Sequence, residues 1–179
     1  YYKAALSNFN LGVSFNSRLN IKLREDKGWT YGARSGFTGN KYTGTFYFNS
    51  GIRANATDSA LITLLADMKQ YNLTGPDNDE VAFMKNSIGQ SDARNYETGG
   101  QKAAFVSRIL MYDLPADFVE QQTKILNSIS TADIDALAKK YYDVDKMNIL
   151  LVGDKDQIIP GIKDLGYDII ELDADGNKL

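Results

Sequence analysis

Residues 11–32 read LGVSFNSRLNIKLREDKGWTYG, and the change of period inside this stretch decides the fold. Over residues 17–26, Leu19, Ile21 and Leu23 are interleaved with Arg18, Lys22 and Arg24, with no proline or glycine among them. That pattern predicts a helix half-buried along one side. Gly28 then stops it, because glycine enters the left-handed conformation that ends helices at little steric cost. After the glycine, Trp29, Tyr31, Ala33, Ser35 and Phe37 alternate with Thr30, Gly32, Arg34 and Gly36. This is the two-residue period of a strand. A helix that meets a strand through one glycine makes a fixed corner. Arg24 and Tyr31 stand on either side of it, and both are long side chains with hydrogen-bond donors.

The stretch resembles the signature of the second, non-catalytic type of domain in the M16 (insulinase, pitrilysin and mitochondrial-processing) family of zinc peptidases. That pattern runs roughly LGG-x-F-x-SRL-x-x-x-LRE-x-x-G-x-x-Y-G. Here it appears as Leu11-Gly12-Val13-Ser14-Phe15-Asn16-Ser17-Arg18-Leu19, then Leu23-Arg24-Glu25, Gly28 and Tyr31-Gly32. Val13 is the clear departure, standing where a second glycine is usual; it touches the turn and not the donors. The resemblance implies that Arg24 and Tyr31 point into a cleavage chamber and bind the substrate backbone near the scissile bond. It leaves Ser17, Arg18, Leu23, Glu25, Gly28 and Gly32 as the structural part of the motif.

The chemistry of such a pair follows without the family. Peptide hydrolysis places negative charge on the carbonyl oxygen, and donors already aimed at it lower the barrier, each by roughly a hundred- to a thousandfold in rate. Arginine stays charged at any working pH, and a tyrosine hydroxyl donates without ionising. A structural reading stands beside this one. An arginine near a helix C-terminus also complements the helix dipole, and a strand tyrosine often belongs to the core with its hydroxyl at the surface.

The chain of 179 residues holds no histidine and no cysteine. Catalytic zinc sites need three protein ligands and draw mainly on those two residues. The H-x-x-E-H motif of this family's active domains is therefore absent, and neither a Ser-His-Asp nor a Cys-His arrangement can be built. Asp77, Asp79 and Glu80 are clustered, but the run lacks the glycine and the distant bidentate glutamate of a calcium loop. It reads as a helix start. No metal is expected in this chain, and the resemblance assigns zinc to a partner catalytic domain. The chain alone is not expected to hydrolyse peptides.

Charged residues make up 24% of the chain and the net charge is −3, which gives no electrostatic case for nucleic acid or an anionic membrane. No apolar run approaches the roughly 20 residues of a membrane span. The sequence begins at Tyr1 without methionine and shows no signal peptide. Residues 1–179 are expected to form one domain, excised from a longer chain and lacking the strand that precedes the first helix in M16 domains. Missing cysteine permits any compartment, and the resemblance leans to the periplasm.

Along the chain, Tyr2, Ala5, Leu6 and Phe9 fall at helical spacing. Gly39-Asn40 marks a turn, and residues 42–53 alternate again, which makes an antiparallel hairpin with residues 29–37. Asn55 with Asp58 reads as a capped helix start, and the helix to residue 71 buries Leu61, Leu64, Leu65 and Met68. Gly75-Pro76 breaks it. The next helix carries Val81, Met84 and Ile88, with Asn86, Gln90, Asp92, Arg94 and Asn95 toward solvent or a cavity. Two Asn-x-Thr sequons, at Asn55 and Asn72, read as chance. Gly99-Gly100 reads as a connection rather than a hinge. Residues 103–110 are helical, Pro115 opens a helix through Phe118 and Ile125, and Ser130 caps another with Ile134, Leu137 and Tyr141. Residues 147–152 read as an apolar strand, followed by a short helix to residue 165, a last strand over 168–172, and a loose polar tail.

This order predicts an α+β fold, a mostly antiparallel sheet with helices packed mainly on one face. The resemblance implies a zinc-free substrate-binding half of a metalloendopeptidase, paired with an H-x-x-E-H-bearing M16 catalytic domain in the same or another chain, around a peptide substrate. The alternative is a structural or assembly module of the same superfamily without peptidase chemistry.

Overall fold

The computed structural model describes residues 1–92 and 97–179. Helix α1 (Tyr2–Ser7) runs into a π-helical turn, Phe9–Val13, and α2 (Arg18–Asn20) widens into a second π-helical stretch, Ile21–Asp26. Leu19 and Leu23 are fully buried while Ile21 is half out in solvent. Positions four apart share a helix face, so the first two reach the core together. Strands β1 (Thr30–Phe37) and β2 (Phe46–Ile52) pair antiparallel, with Ala33 opposite Ser50, Ser35 opposite Phe48 and Phe37 opposite Phe46. β2 starts later than the alternation from residue 42 suggests. Asn40 Oδ1 accepts hydrogen bonds from the backbone N–H groups of Tyr42 and Thr43, both at 2.9 Å, and bends the chain into a loop.

Among the described residues six α-helices follow: α3 (Thr57–Thr74), α4 (Asn78–Asp92), α5 (Gly99–Tyr112), α6 (Phe118–Ser128), α7 (Thr131–Tyr141) and α8 (Lys155–Ile162). Their starts are written in local chemistry. The Asp77 N–H donates to Glu80 Oε2 and the Glu80 N–H to Asp77 Oδ1, both at 2.8 Å, so the acidic cluster is a reciprocal cap. Ser130 and Asp133 cap α7 in the same way. At α5 the capping residue is Thr98, and Gly99-Gly100 are the first helical residues. The start of α3 differs from expectation: a 3₁₀ turn, Ala54–Ala56, already occupies Asn55, and the capping position falls on Ala56 with no side-chain bond. Asn86 and Gln90 face solvent. The expectation for the side chain of Asp92 and for Arg94 and Asn95 lies outside the described residues.

One face of the hairpin meets the helices. Leu11, Leu19, Leu23 and Ala33 cluster with Met68 and Tyr71 of α3, Ala138 of α7 and Tyr142, with Phe37, Phe46, Phe48 and Ile52 packed against them. The mixed α and β architecture with its antiparallel pair stands as expected. At the end of α7 the buried ring is Tyr142, not Tyr141, because the chain leaves the helix there and the next residue turns inward. Ser7 pins that ring: its Oγ shares a 2.9 Å hydrogen bond with the Tyr142 hydroxyl, and its carbonyl accepts from Tyr71 at 2.7 Å.

Two expected strands are not strands. Residues 147–152 make no ladder, with Leu150 and Val152 exposed, and residues 168–172 contribute a single bridge between Leu172 and Lys178. Strand sequence needs a neighbouring backbone, and among the described residues none lies in register with either segment. Among the described residues the sheet therefore has two strands, β1 and β2. The outer edge of β1 is closed by side chains: Asn20 Oδ1 accepts from the Ala33 N–H at 3.1 Å, and Asn8 Nδ2 donates to the Ser35 carbonyl at 2.8 Å. The outer edge of β2 has no ladder partner among the described residues. No described helix is long and apolar enough to cross a membrane.

Candidate functional site

The corner between Arg24 and Tyr31 is set by how the π-helical stretch ends. Gly28 sits at φ +59°, in the left-handed region. Its N–H donates to the Arg24 carbonyl at 2.9 Å, and the Trp29 N–H reaches the Leu23 carbonyl at 3.0 Å. Each bond reaches one residue further back than in the corresponding α-helical ending, as the wider winding requires. The backbone of Arg24 is thus committed to the turn, while its side chain leaves at the corner. Such π-helical segments are rare and frequently mark functional positions.

Tyr31 leaves the sheet for a different reason. Between the pairs Thr30–Ile52 and Ala33–Ser50 the register shifts, so Tyr31 and Gly32 together oppose one residue of β2. This is a β-bulge, which re-aims the side chain it carries. Hydroxyls hold it open: the Gly32 N–H donates to Thr30 Oγ1 at 3.0 Å, Thr30 Oγ1 donates to the Gly51 carbonyl at 2.8 Å, and Ser50 Oγ donates to the Gly32 carbonyl at 3.0 Å. The alternation that places Tyr31 with Ala33 and Ser35 is broken here. Ala33 and Ser35 are buried, and Tyr31 is 90% exposed with no hydrogen bond from its hydroxyl to a described residue.

The guanidinium carbon of Arg24 lies 5.1 Å from the Tyr31 ring centroid and 4.6 Å from that of Phe15. Glu25 Oε1 is 3.3 Å from Arg24 Nε. No hydrogen bond engages the Nη groups among the described residues, and none caps a helix carbonyl. The remaining motif residues sit at other places in the fold. Ser17 is buried with its Oγ unpaired, and Leu23 is core. Arg18 forms a two-pronged pair with Glu80, at 2.7 and 2.6 Å. Gly32 lies in the bulge. Gly12 touches β1 so closely that a Cβ there would meet Ser35 Oγ and lie 2.8 Å from the Ser35 N. Val13, on the outer side of that turn, is 42% exposed.

Phe15 is the residue that sequence reading passed over. It is 55% exposed and holds a fixed place in the motif. A large aromatic kept out of the core beside an arginine is the signal that would have found it.

Among the described residues no three acidic side chains are grouped to hold a metal. Without histidine or cysteine the chain's donor set does not fit a catalytic zinc. Two shallow depressions, of about 270 Å³ beside Gly12 and Phe37 and about 330 Å³ beside Arg18 and Lys22, include neither Arg24 nor Tyr31. In the second, burial raises the Asp67 carboxyl above the usual carboxylate range, against the pull of Lys22 and Arg18.

Residues 1–88 match the family model described as the peptidase M16 inactive domain. A Pseudomonas fluorescens structure described as a peptidase M16 inactive domain is 26% identical, with a TM-score of 0.75 over 82% of this chain and 35% of that one. A protease from Helicobacter pylori is 16% identical, with a TM-score of 0.63 over 79% of this chain and 34% of its own. The periplasmic protease PqqL from Escherichia coli is 20% identical, with a TM-score of 0.62 over 78% of this chain and 16% of its own. The last two share the fold. This chain thus spans about a third or less of the length of these three proteins. No curated protein matches it.

Proposed function

Residues 1–88 of this chain belong to the peptidase M16 inactive-domain family, and on that premise we infer that the chain is the zinc-free, substrate-binding half of a metalloendopeptidase. Arg24 and Tyr31 bind the peptide backbone and polarise the scissile carbonyl. A separate M16 domain bearing H-x-x-E-H supplies zinc and the hydrolytic water. The division suits the chemistry: one half activates water, and the other fixes an extended peptide and meets the charge that develops on its carbonyl.

The observation that carries the reading is that neither the Tyr31 hydroxyl nor the Arg24 Nη groups hydrogen-bond to a described residue. Tyr31 is pushed out of the sheet by a bulge that the hydroxyls of Thr30 and Ser50 maintain, and its own hydroxyl bonds to no described residue. Arg24 packs beside it with its Nη groups uncommitted. Both donors are left open to a peptide arriving from solvent, and the Tyr31 ring adds nothing to the core.

In the peptidase assembled with its catalytic domain, Arg24→Ala and Tyr31→Phe should each lower kcat/KM by roughly tenfold to a thousandfold, or about 1.4–4 kcal/mol of transition-state stabilisation. Melting temperature should stay close to that of the parent chain. Variants that unfold the domain while sparing the activity of the folded fraction would make these residues structural and favour the assembly-module reading.

A further inference from the structure

Arg24 is a long side chain on an open corner, and an unrestrained arginine divides its time among many rotamers. Glu25 approaches only its Nε, at 3.3 Å, and no other ion pair or hydrogen bond orients the guanidinium among the described residues. The close contacts are aromatic, and Phe15 is the nearer ring at 4.6 Å. The core does not account for Phe15, whose side chain is more than half exposed.

The backbone around Phe15 is held firmly. Asn20 Nδ2 donates to the Phe15 carbonyl at 2.7 Å, while Oδ1 of the same asparagine accepts from the Ala33 N–H. One buried side chain therefore ties the Phe15 segment, α2 and the strand beside the bulge into a single bracket. The Ser17 N–H donates to the Ser14 carbonyl at 3.0 Å, and the Asn16 N–H to Ser14 Oγ at 3.1 Å, which closes the turn that presents the ring.

We propose that Phe15 is a positioning residue, whose ring keeps the Arg24 guanidinium beside Tyr31 by a cation–π contact while Asn20 fixes the backbone from which it projects. The proposal rests on the reading of Arg24 as a peptide donor. A cation over an aromatic face is attracted by the ring's quadrupole, and a phenyl ring carries no oxygen or nitrogen acceptor, so no conventional hydrogen bond takes up the guanidinium N–H groups that a carbonyl would use.

The test uses the whole chain, labelled with ¹⁵N, and the Arg24 Nε–Hε resonance, assigned by its loss in Arg24→Ala. Phe15→Ala and Phe15→Leu should move that resonance toward its random-coil position and raise its picosecond-to-nanosecond mobility. Phe15→Tyr should restore both, and unchanged backbone amides elsewhere report the intact fold. A titration with an acetyl- and amide-blocked alanine–valine–lysine peptide should show binding weakened about two- to fivefold in Phe15→Ala and recovered in Phe15→Tyr. An Arg24 resonance as ordered in Phe15→Ala as in the parent overturns the proposal. So does a peptide-affinity loss from Phe15→Ala that persists in full on an Arg24→Ala background, since Phe15 would then act on the peptide directly. An Arg24→Ala variant that binds the peptide as well as the parent removes the underlying reading instead, and the relaxation data tell that failure from the first.

Discussion

Asn8 and Ser35 exchange two hydrogen bonds out of reach of solvent: Asn8 Nδ2 donates to the Ser35 carbonyl at 2.8 Å, and Ser35 Oγ donates to Asn8 Oδ1 at 2.7 Å. The pair joins the residue that ends α1 to the outer edge of β1, the strand that carries Tyr31. Leaving a buried polar group unpaired costs about 1–3 kcal/mol. Asn8→Ala orphans the Ser35 carbonyl and should lose stability in that range, and Ser35→Ala should lose less because the main-chain bond survives. Denaturant unfolding of both singles and the double variant tests the coupling; strictly additive losses would show that the two side chains do not act on each other.

Gly12 and Gly28 are both glycine for physical reasons, and the reasons differ. Gly28 needs positive φ, and a methyl group added there would meet nothing within 4 Å, whereas a Cβ at Gly12 would strike β1 at Ser35. Gly28→Ala should therefore cost about 1–2 kcal/mol of backbone strain. Gly28→Asn should recover part of it, since asparagine tolerates the left-handed region. Gly12→Ala should cost more, and Gly12→Asn more again. Thermal melts of the four variants separate strain from collision, and rescue of Gly12 by asparagine would contradict the steric account.

Arg18 ties the junction between α3 and α4. Its guanidinium grips both oxygens of Glu80, donates to the Gly75 carbonyl at 3.1 Å and lies 5.1 Å from the Tyr71 ring centroid. Glu80 also caps α4, so one carboxylate serves two ends. Both side chains are only part-buried, which screens the charge term. Arg18→Ala should cost about 1–2 kcal/mol, and Arg18→Lys should recover little of it, since an ammonium cannot copy the fork. Equal stability of the lysine variant and the parent would show that charge alone is at work.

Burial pushes the hydroxyls of Tyr71 and Tyr142 well above the ordinary tyrosine range, with the Ser7 hydrogen bond opposing the rise at Tyr142. The folded chain then holds protons that the unfolded chain releases above about pH 10. Stability from these groups is complete below that pH and falls as pH rises through the raised folded values. Tyr142→Phe loses the bond to Ser7 and should be the less stable protein at pH 7. Its deficit should shrink between pH 10 and 11, because one titrating hydroxyl is gone. Melting temperatures of both proteins across that window decide it, and a deficit independent of pH would contradict the burial argument.

The corner was legible because a single glycine separates two periods, and the caps at Asp77 and Ser130 were legible because both partners lie within one turn. The bulge at Tyr31 was not. It depends on Thr30 meeting Ser50 across the hairpin, a relation that the alternation of β1 alone conceals. The π-winding around Arg24 leaves no mark in residue type, and the approach of Phe15 to Arg24 needs the turn between them. Residues 147–152 show the opposite failure: a strand-like sequence is a claim about a neighbour, and the claim was read without one. The Arg24 and Tyr31 identities came from the motif, and the exposure of Tyr31 from the fold.

The uncovered side of β2 has a consequence for the behaviour of the chain in solution. Phe46–Ile52 reads FYFNSGI, without a charge or a proline, and its outward amides and carbonyls have no ladder partner among the described residues. A row of that kind is a template on which another copy can lay its own backbone, and charged or proline gatekeepers are the usual defence. Arg53 stands just past one end and Lys41 five residues before the other, so the strand itself is undefended. Concentrated samples of the isolated chain should therefore thicken into β-rich oligomers well below the temperature at which the helices melt, making colloidal lifetime, rather than unfolding, the practical limit on handling it.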